Sequence, residues 1–124
     1  MQGYISIKEN KDFKRLYYRG KSFVTPYFVM YLAKGRTGKV RIGITAGKKI
    51  GCAVKRNRAK RLIRAAFNNC FKNIIPGYDF VIVARSKIIE EKSNTVAKNL
   101  EKQLRAAGVW CENATCKQPA DKTN

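Results

Sequence analysis

The chain has 124 residues and a formal charge of +19, from 27 lysines and arginines against 8 acids, and 44% of its residues are hydrophobic. That length supports one domain with its own core, and that apolar content excludes a disordered basic tail. A charge this large opposes compaction by self-repulsion and favours a polyanionic partner, nucleic acid first and an anionic membrane surface second.

No stretch reads as a targeting or membrane-spanning segment. The longest apolar run, Tyr27 to Ala33, is far shorter than the roughly 18 residues a membrane helix needs. The N-terminus turns polar by Lys8. Four cysteines without a secretory signal point to a reducing cytosol rather than a disulfide framework.

In chain order, Ser6 and Glu9 have the spacing of a capping box, and Asn10 is a rival N-cap. A short helix to about Arg19 follows, with Phe13, Leu16 and Tyr17 on one face and Gly20 as its stop. That face reads as core packing, or as a platform for stacking bases beside Lys14, Arg15, Arg19 and Lys21. Phe23 to Leu32 reads as a strand with an edge or kink at Pro26. Tyr27, Val29 and Tyr31 point one way and Phe28, Met30 and Leu32 the other, so one face is core and the other is partly covered or used for binding. Residues Lys34 to Lys39 form a glycine-rich basic hairpin loop without the spacing of a nucleotide-binding phosphate loop. Val40, Ile42 and Ile44 alternate with Arg41, Gly43 and Thr45, the period of a strand.

The next stretch, Lys48 to Arg64, carries eight lysines and arginines and no carboxylate. Ala59, Leu62, Ile63, Ala66, Phe67, Cys70 and Phe71 recur at steps of three and four and line one side of a helix. Asn57, Arg61, Arg64 and Asn68 fall on the opposite side, flanked by Arg58 and Lys60, while Arg56 turns toward the apolar side. A solvated helix face normally mixes charge signs, and this one does not. Within Lys55 to Arg64 arginine outnumbers lysine four to two, and the planar guanidinium suits bidentate phosphate contacts. The helix therefore has one face for a core and one for a polyanion.

Downstream, Asn73 to Gly77 is a turn, and Phe80-Val81-Ile82-Val83 within Asp79 to Ala84 is an apolar run of strand length, as in an interior strand covered on both faces. Ser93 or Asn94 caps a last helix to about Ala107, with Val96, Leu100 and Leu104 buried and Gly108 ending it. Residues 112–124 show no periodicity and read as a disordered tail, leaving 1–111 as the folded domain. The order is helix, strand, strand, basic helix, strand, helix, with room for one further strand within Phe23 to Leu32. This is an α+β class fold, a single sheet covered by helices.

Catalysis by the chain alone finds little support. Histidine is absent, which removes the usual general acid–base side chain and the commonest metal ligand. The acids are scattered, and Asp79 at the start of a strand reads as a capping acid or the partner of an arginine. A metal-dependent nuclease needs converging carboxylates. Cys111 and Cys116 are spaced too widely, and Cys52 and Cys70 lie too far away, for a zinc ribbon. Cys70 belongs to the apolar stripe as a small core residue.

The run Lys48-Lys49-Ile50-Gly51, then Ala53 to Arg64 with its Arg56-Asn57-Arg58 element, resembles the signature of the bacterial ribonuclease P protein subunits. The likeness extends to Asp12 to Tyr17, Gly20-Lys21, the Phe28 to Tyr31 strand, Asp79 to Arg85 and the last helix, about residues 7 to 107 in all. It implies a fold like the second domain of ribosomal protein S5, with a left-handed βαβ crossover around the basic helix, against the usual right-handed rule. It also implies a cytoplasmic partner of a catalytic RNA that removes the 5′ leader of precursor tRNA with Mg2+. On that resemblance the RNA performs the hydrolysis, the metal is held through RNA and substrate, and the protein supplies no catalytic residue, no metal site and no membrane contact. Lys48, Lys49, Lys55, Arg56, Asn57, Arg58, Lys60, Arg61 and Arg64 would contact the catalytic RNA. Phe13, Tyr17 and Tyr31 would line the cleft for the single-stranded leader. Three positions depart from the family pattern: Tyr17 where phenylalanine is common, Ala46-Gly47 in place of a serine-containing step, and Cys52 where a capping asparagine often lies. Competing functions are a general RNA-binding protein, an amphipathic helix acting at anionic membranes, and a protein-only nuclease.

Overall fold

The computed structural model describes residues 4–35 and 37–111. The tail assigned to 112–124 and Cys116 lie outside the described residues. One mixed sheet organises the domain: β1 (Ile5–Ser6), β2 (Lys21–Val24), β3 (Phe28–Lys34), β4 (Arg41–Thr45) and β5 (Tyr78–Ala84), in the spatial order β1-β4-β5-β3-β2. Helices α1 (Asn10–Arg19), α2 (Ala53–Cys70) and α3 (Ser93–Ala107) cover it, and short 3-10 turns at Lys48–Ile50, Phe71–Asn73 and Ser86–Glu90 make the connections. The α+β class is as the sequence predicts.

The central position of β5 follows from its side chains. Phe80, Val81 and Ile82 are all buried, so neither face of the strand can meet water. β5 therefore pairs in parallel with β4 and antiparallel with β3. This corrects the expected hairpin at Lys34 to Lys39. β3 and β4 are consecutive in sequence yet separated in space, because the doubly apolar β5 takes the interior position between them.

The further strand that the sequence left room for is present. The Phe23 to Leu32 stretch is two strands, β2 and β3, which pair antiparallel across a turn at Thr25 to Tyr27. The buried Thr25 hydroxyl fixes that turn by donating to the Phe28 carbonyl and accepting from the Tyr27 and Phe28 N–H groups. At the N-terminus, β1 pairs in parallel with the outer edge of β4. Helix caps also differ from expectation: Glu9 and Lys92 occupy the N-cap positions of α1 and α3, neither with a side-chain capping bond. Gly20 and Gly108 do stand at the C-caps.

Strand alternation sends Ile42, Ile44, Phe28, Met30, Leu32, Phe80 and Ile82 to one face, where α2 and α3 build the larger core with Ile63, Phe67, Val96, Leu100 and Leu104. The other face carries Val81, Tyr31, Ala33 and Val83, packed by Ile7 and by Phe13, Leu16 and Tyr17 of α1. Helix α1 has ten residues, about 15 Å of helix, so it covers only part of that face. Tyr31 stays half-buried as a result.

Crossover hand follows from this layout. β1, β4, β5 and β2 run in the same direction. The connection β1-α1-β2 steps from one edge to the other over the α1 face, and β4-α2-β5 steps the same way over the opposite face. Two parallel crossovers stepping the same way over opposite faces have opposite hands. One of them must break the right-handed rule, and the family resemblance assigns that exception to β4-α2-β5.

Candidate nucleic-acid interface

Helix α2 is held by its apolar stripe. Ala59, Ile63, Ala66, Phe67 and Cys70 are buried, and burial of bulky side chains such as Ile63 and Phe67 stabilises by roughly 1.5–3 kcal/mol each. The stripe fixes the rotation of the helix and so presents the opposite side to solvent. Lys55, Asn57, Arg58, Arg61 and Arg64 are exposed there, with Lys60 half-buried on one flank. Arg58 anchors the other flank by donating its Nε–H to the Ile89 carbonyl at 3.1 Å. Arg56 is half-buried, as its angular position requires, and its Nε has no hydrogen-bond partner among the described residues.

The approach to the helix adds charge. Lys48 and Lys49 are exposed on a 3-10 turn whose Ile50 is buried and anchors it. Gly51 then turns the chain at φ +129°, a conformation side-chain-bearing residues rarely adopt. Cys52 is the N-cap but makes no capping hydrogen bond of good geometry. The nearby backbone N–H groups of Lys55 and Val54 nevertheless lower its thiol pKa.

None of the eight cations from Lys48 to Arg64 pairs with a carboxylate among the described residues. Four of the acids are engaged elsewhere. Asp79, fully buried, forms ion pairs with Arg15 and with Arg41, the latter at 3.5 Å. Asp12 pairs with Arg41 at 2.9 Å. Glu9 pairs with Lys11, and Glu101 with Arg105. Asp79 thus pairs with arginine, one of the two roles that its place at the start of a strand allowed.

The three aromatic residues come together on the α1 face of the sheet. The Phe13 and Tyr17 rings are 6.4 Å apart, and Tyr17 meets Tyr31 edge-to-face at 5.0 Å. Tyr17 is 42% exposed while Phe13 and Tyr31 are half-buried. The row is thus part core and part accessible surface. Gly43 makes it possible, because a Cβ there would lie 2.7 Å from the Phe13 ring. The α2 cations and the aromatic row therefore belong to opposite sides of the sheet.

Sequence reasoning missed several residues at the α2 surface. The Tyr4 hydroxyl donates to Asn68 Oδ1 at 2.6 Å and ties the N-terminal segment to the helix. Lys8, Lys60 and Arg64 border a hollow beside it. Val54 is 72% exposed in the first turn of the basic helix. Tyr4 and Lys8 carry no periodic signal, and their place could not be read without knowing that β1 pairs with β4.

Among the described residues, no three histidine, cysteine or acidic side chains group in a way that could hold a metal ion, and no helix is long and apolar enough to cross a membrane. The family profile described as ribonuclease P matches residues 1–108. The ribonuclease P protein component of Clostridioides difficile is 39% identical over 100 residues, 80% of this chain and 84% of its relative. The Staphylococcus aureus RNase P protein structure superposes with a TM-score of 0.73 at 35% identity, covering 85% of this chain and 96% of that one. The Thermotoga maritima RNase P protein does so with a TM-score of 0.73 at 30% identity, covering 82% and 96%. With the fold, the basic helix and these relatives in agreement, the chain belongs to the ribonuclease P protein family.

Proposed function

We propose that this chain works as the protein subunit of a bacterial, cytoplasmic ribonuclease P, with two RNA surfaces. The α2 row and the turn before it (Lys48, Lys49, Lys55, Arg56, Asn57, Arg58, Lys60, Arg61 and Arg64) grip the catalytic RNA. Phe13, Tyr17 and Tyr31 hold the single-stranded 5′ leader of precursor tRNA by stacking, with Tyr17 the accessible ring of the row. The observation that carries the reading is the set of eight cations from Lys48 to Arg64 without an internal carboxylate partner among the described residues. Cations held on a rigid scaffold and left unneutralised are available to phosphates, whose contact releases condensed counterions and supplies most of the affinity.

Hydrolysis falls to the RNA, which together with the substrate would hold the Mg2+ whose chemistry the reaction draws on. Among the described residues, Asp12 and Asp79 are held in ion pairs with Arg15 and Arg41, and no three acidic or cysteine side chains group to hold a metal. What the chain contributes is binding and orientation. Cations offset phosphate repulsion in the RNA, and the aromatic row holds the leader in line with the scissile bond. The test is reconstitution: added to a bacterial ribonuclease P RNA at low Mg2+, the chain stimulates removal of the leader at the mature 5′ end. Absence of stimulation, or cleavage by the protein without RNA, overturns the proposal.

A further inference from the structure

Beside α2, at the sheet edge, lies a hollow of about 190 Å³ between the N-terminal segment and the helix. Its floor is Ile42 and Ile44 of β4, and its rim carries Lys8, Lys60 and Arg64. β1 covers little of this edge because it pairs only with Arg41 and Ile42 of β4. Tyr4 forms a fixed wall: its ring meets Phe67 and Phe71 edge-on at 5.0 and 5.2 Å, and its hydroxyl is held by Asn68.

No carboxylate lines this hollow. A larger one, near 500 Å³, is lined by Glu9, Lys11, Asp12, Arg15, Thr37 and Arg41, and there the acids neutralise the cations in ion pairs. The hollow beside α2 instead joins an apolar floor to three cations that have no acid partner among the described residues. Its volume is below the roughly 300–1,000 Å³ of a drug-sized ligand site, so it has room for one flat ring with any charged group left at the rim. A mixed slot of this size, with two isoleucines on its floor and cations on its rim, fits one planar group bearing a phosphate.

We infer that this hollow receives a single unpaired nucleotide of the catalytic RNA, its base against Ile42 and Ile44 and its phosphate between Lys8, Lys60 and Arg64. This deepens the proposed function and rests on it. The catalytic RNA is the source because the hollow adjoins the α2 cations, on the side of the sheet away from the aromatic row. The site adds a position-specific contact to a surface that otherwise reads charge alone.

The test uses the full chain with two probes, ribonuclease P RNA and leader-bearing precursor tRNA, and two variants. Lys8→Ala removes one rim charge from an exposed residue. Ser6→Trp fills the hollow with no change of charge. Lys8→Ala is expected to weaken binding to ribonuclease P RNA about tenfold, the loss of one charge-assisted contact. Ser6→Trp is expected to abolish chemical protection of one unpaired nucleotide in that RNA. Unchanged affinity with Lys8→Ala, with protection retained in Ser6→Trp, overturns the inference while leaving the α2 interface standing. Protection lost on the precursor instead also overturns it. Failure of the unaltered chain to bind the RNA overturns the proposed function itself.

Discussion

Gly43 shows how one position can shape a surface from behind, here by making room for the Phe13 ring. That ring lies where a β-carbon on Gly43 would be 2.7 Å away, so the glycine is a space requirement for the aromatic row. Gly43→Ala must displace the ring, and overpacking of this kind costs about 1–3 kcal/mol. The expected result is a lower melting temperature and several-fold weaker binding of the precursor leader, with affinity for ribonuclease P RNA unchanged. Cys70 shows the opposite case, a group kept inert. Burial pushes its thiol up from 9.0 to about 12. The folded state therefore keeps a proton that the unfolded chain loses above about pH 9. The stabilising difference is complete below that value and is lost progressively as pH rises toward 12. Comparison of unfolding midpoints for Cys70→Ala and the unaltered chain between pH 8 and 11 should show a shallower decline in the variant.

At the scale of elements, α2 is built against its own stability. Its first turn holds no acid and carries Lys55 and Arg56, the wrong sign for the positive end of the helix dipole. Its N-cap, Cys52, forms no capping hydrogen bond. Cys52→Asn should raise the stability of the fold by about 1 kcal/mol, measured as a shift in denaturant midpoint at unchanged slope. The periodicity of α2 was legible because an apolar stripe and an all-cation face are both long-range patterns within one helix. The alternation of β4 and the apolar run of β5 were legible for the same reason. β1 was not, since two residues carry no period. The placement of β5 between β3 and β4 was also hidden in local pattern, although its doubly apolar character implied an interior strand and so conflicted with the expected hairpin.

For the whole molecule, the charge of +19 serves, on the proposed function, binding more than folding. With roughly six phosphate contacts, the logarithm of affinity for ribonuclease P RNA should fall against the logarithm of salt with a slope of about −4 to −5. The α2 cations were readable as a continuous row without internal partners because no acid interrupts them in sequence. The separation of the two surfaces was not readable, since it depends on which sheet face each helix covers. Nor was the full ion-pair cluster, because Asp12 and Arg15 of one helix turn meet Arg41 and Asp79, far away in sequence, only in the folded sheet. The central claim is that these two surfaces do different work. The most direct measurement is a crossed set of affinities, for ribonuclease P RNA and for the leader of precursor tRNA bound to the assembled holoenzyme, in the Arg61→Ala/Arg64→Ala and Phe13→Ala/Tyr17→Ala double variants. The account predicts that the arginine variant loses mainly RNA-subunit affinity and the aromatic variant mainly leader affinity; equal losses by both variants in both assays would contradict it.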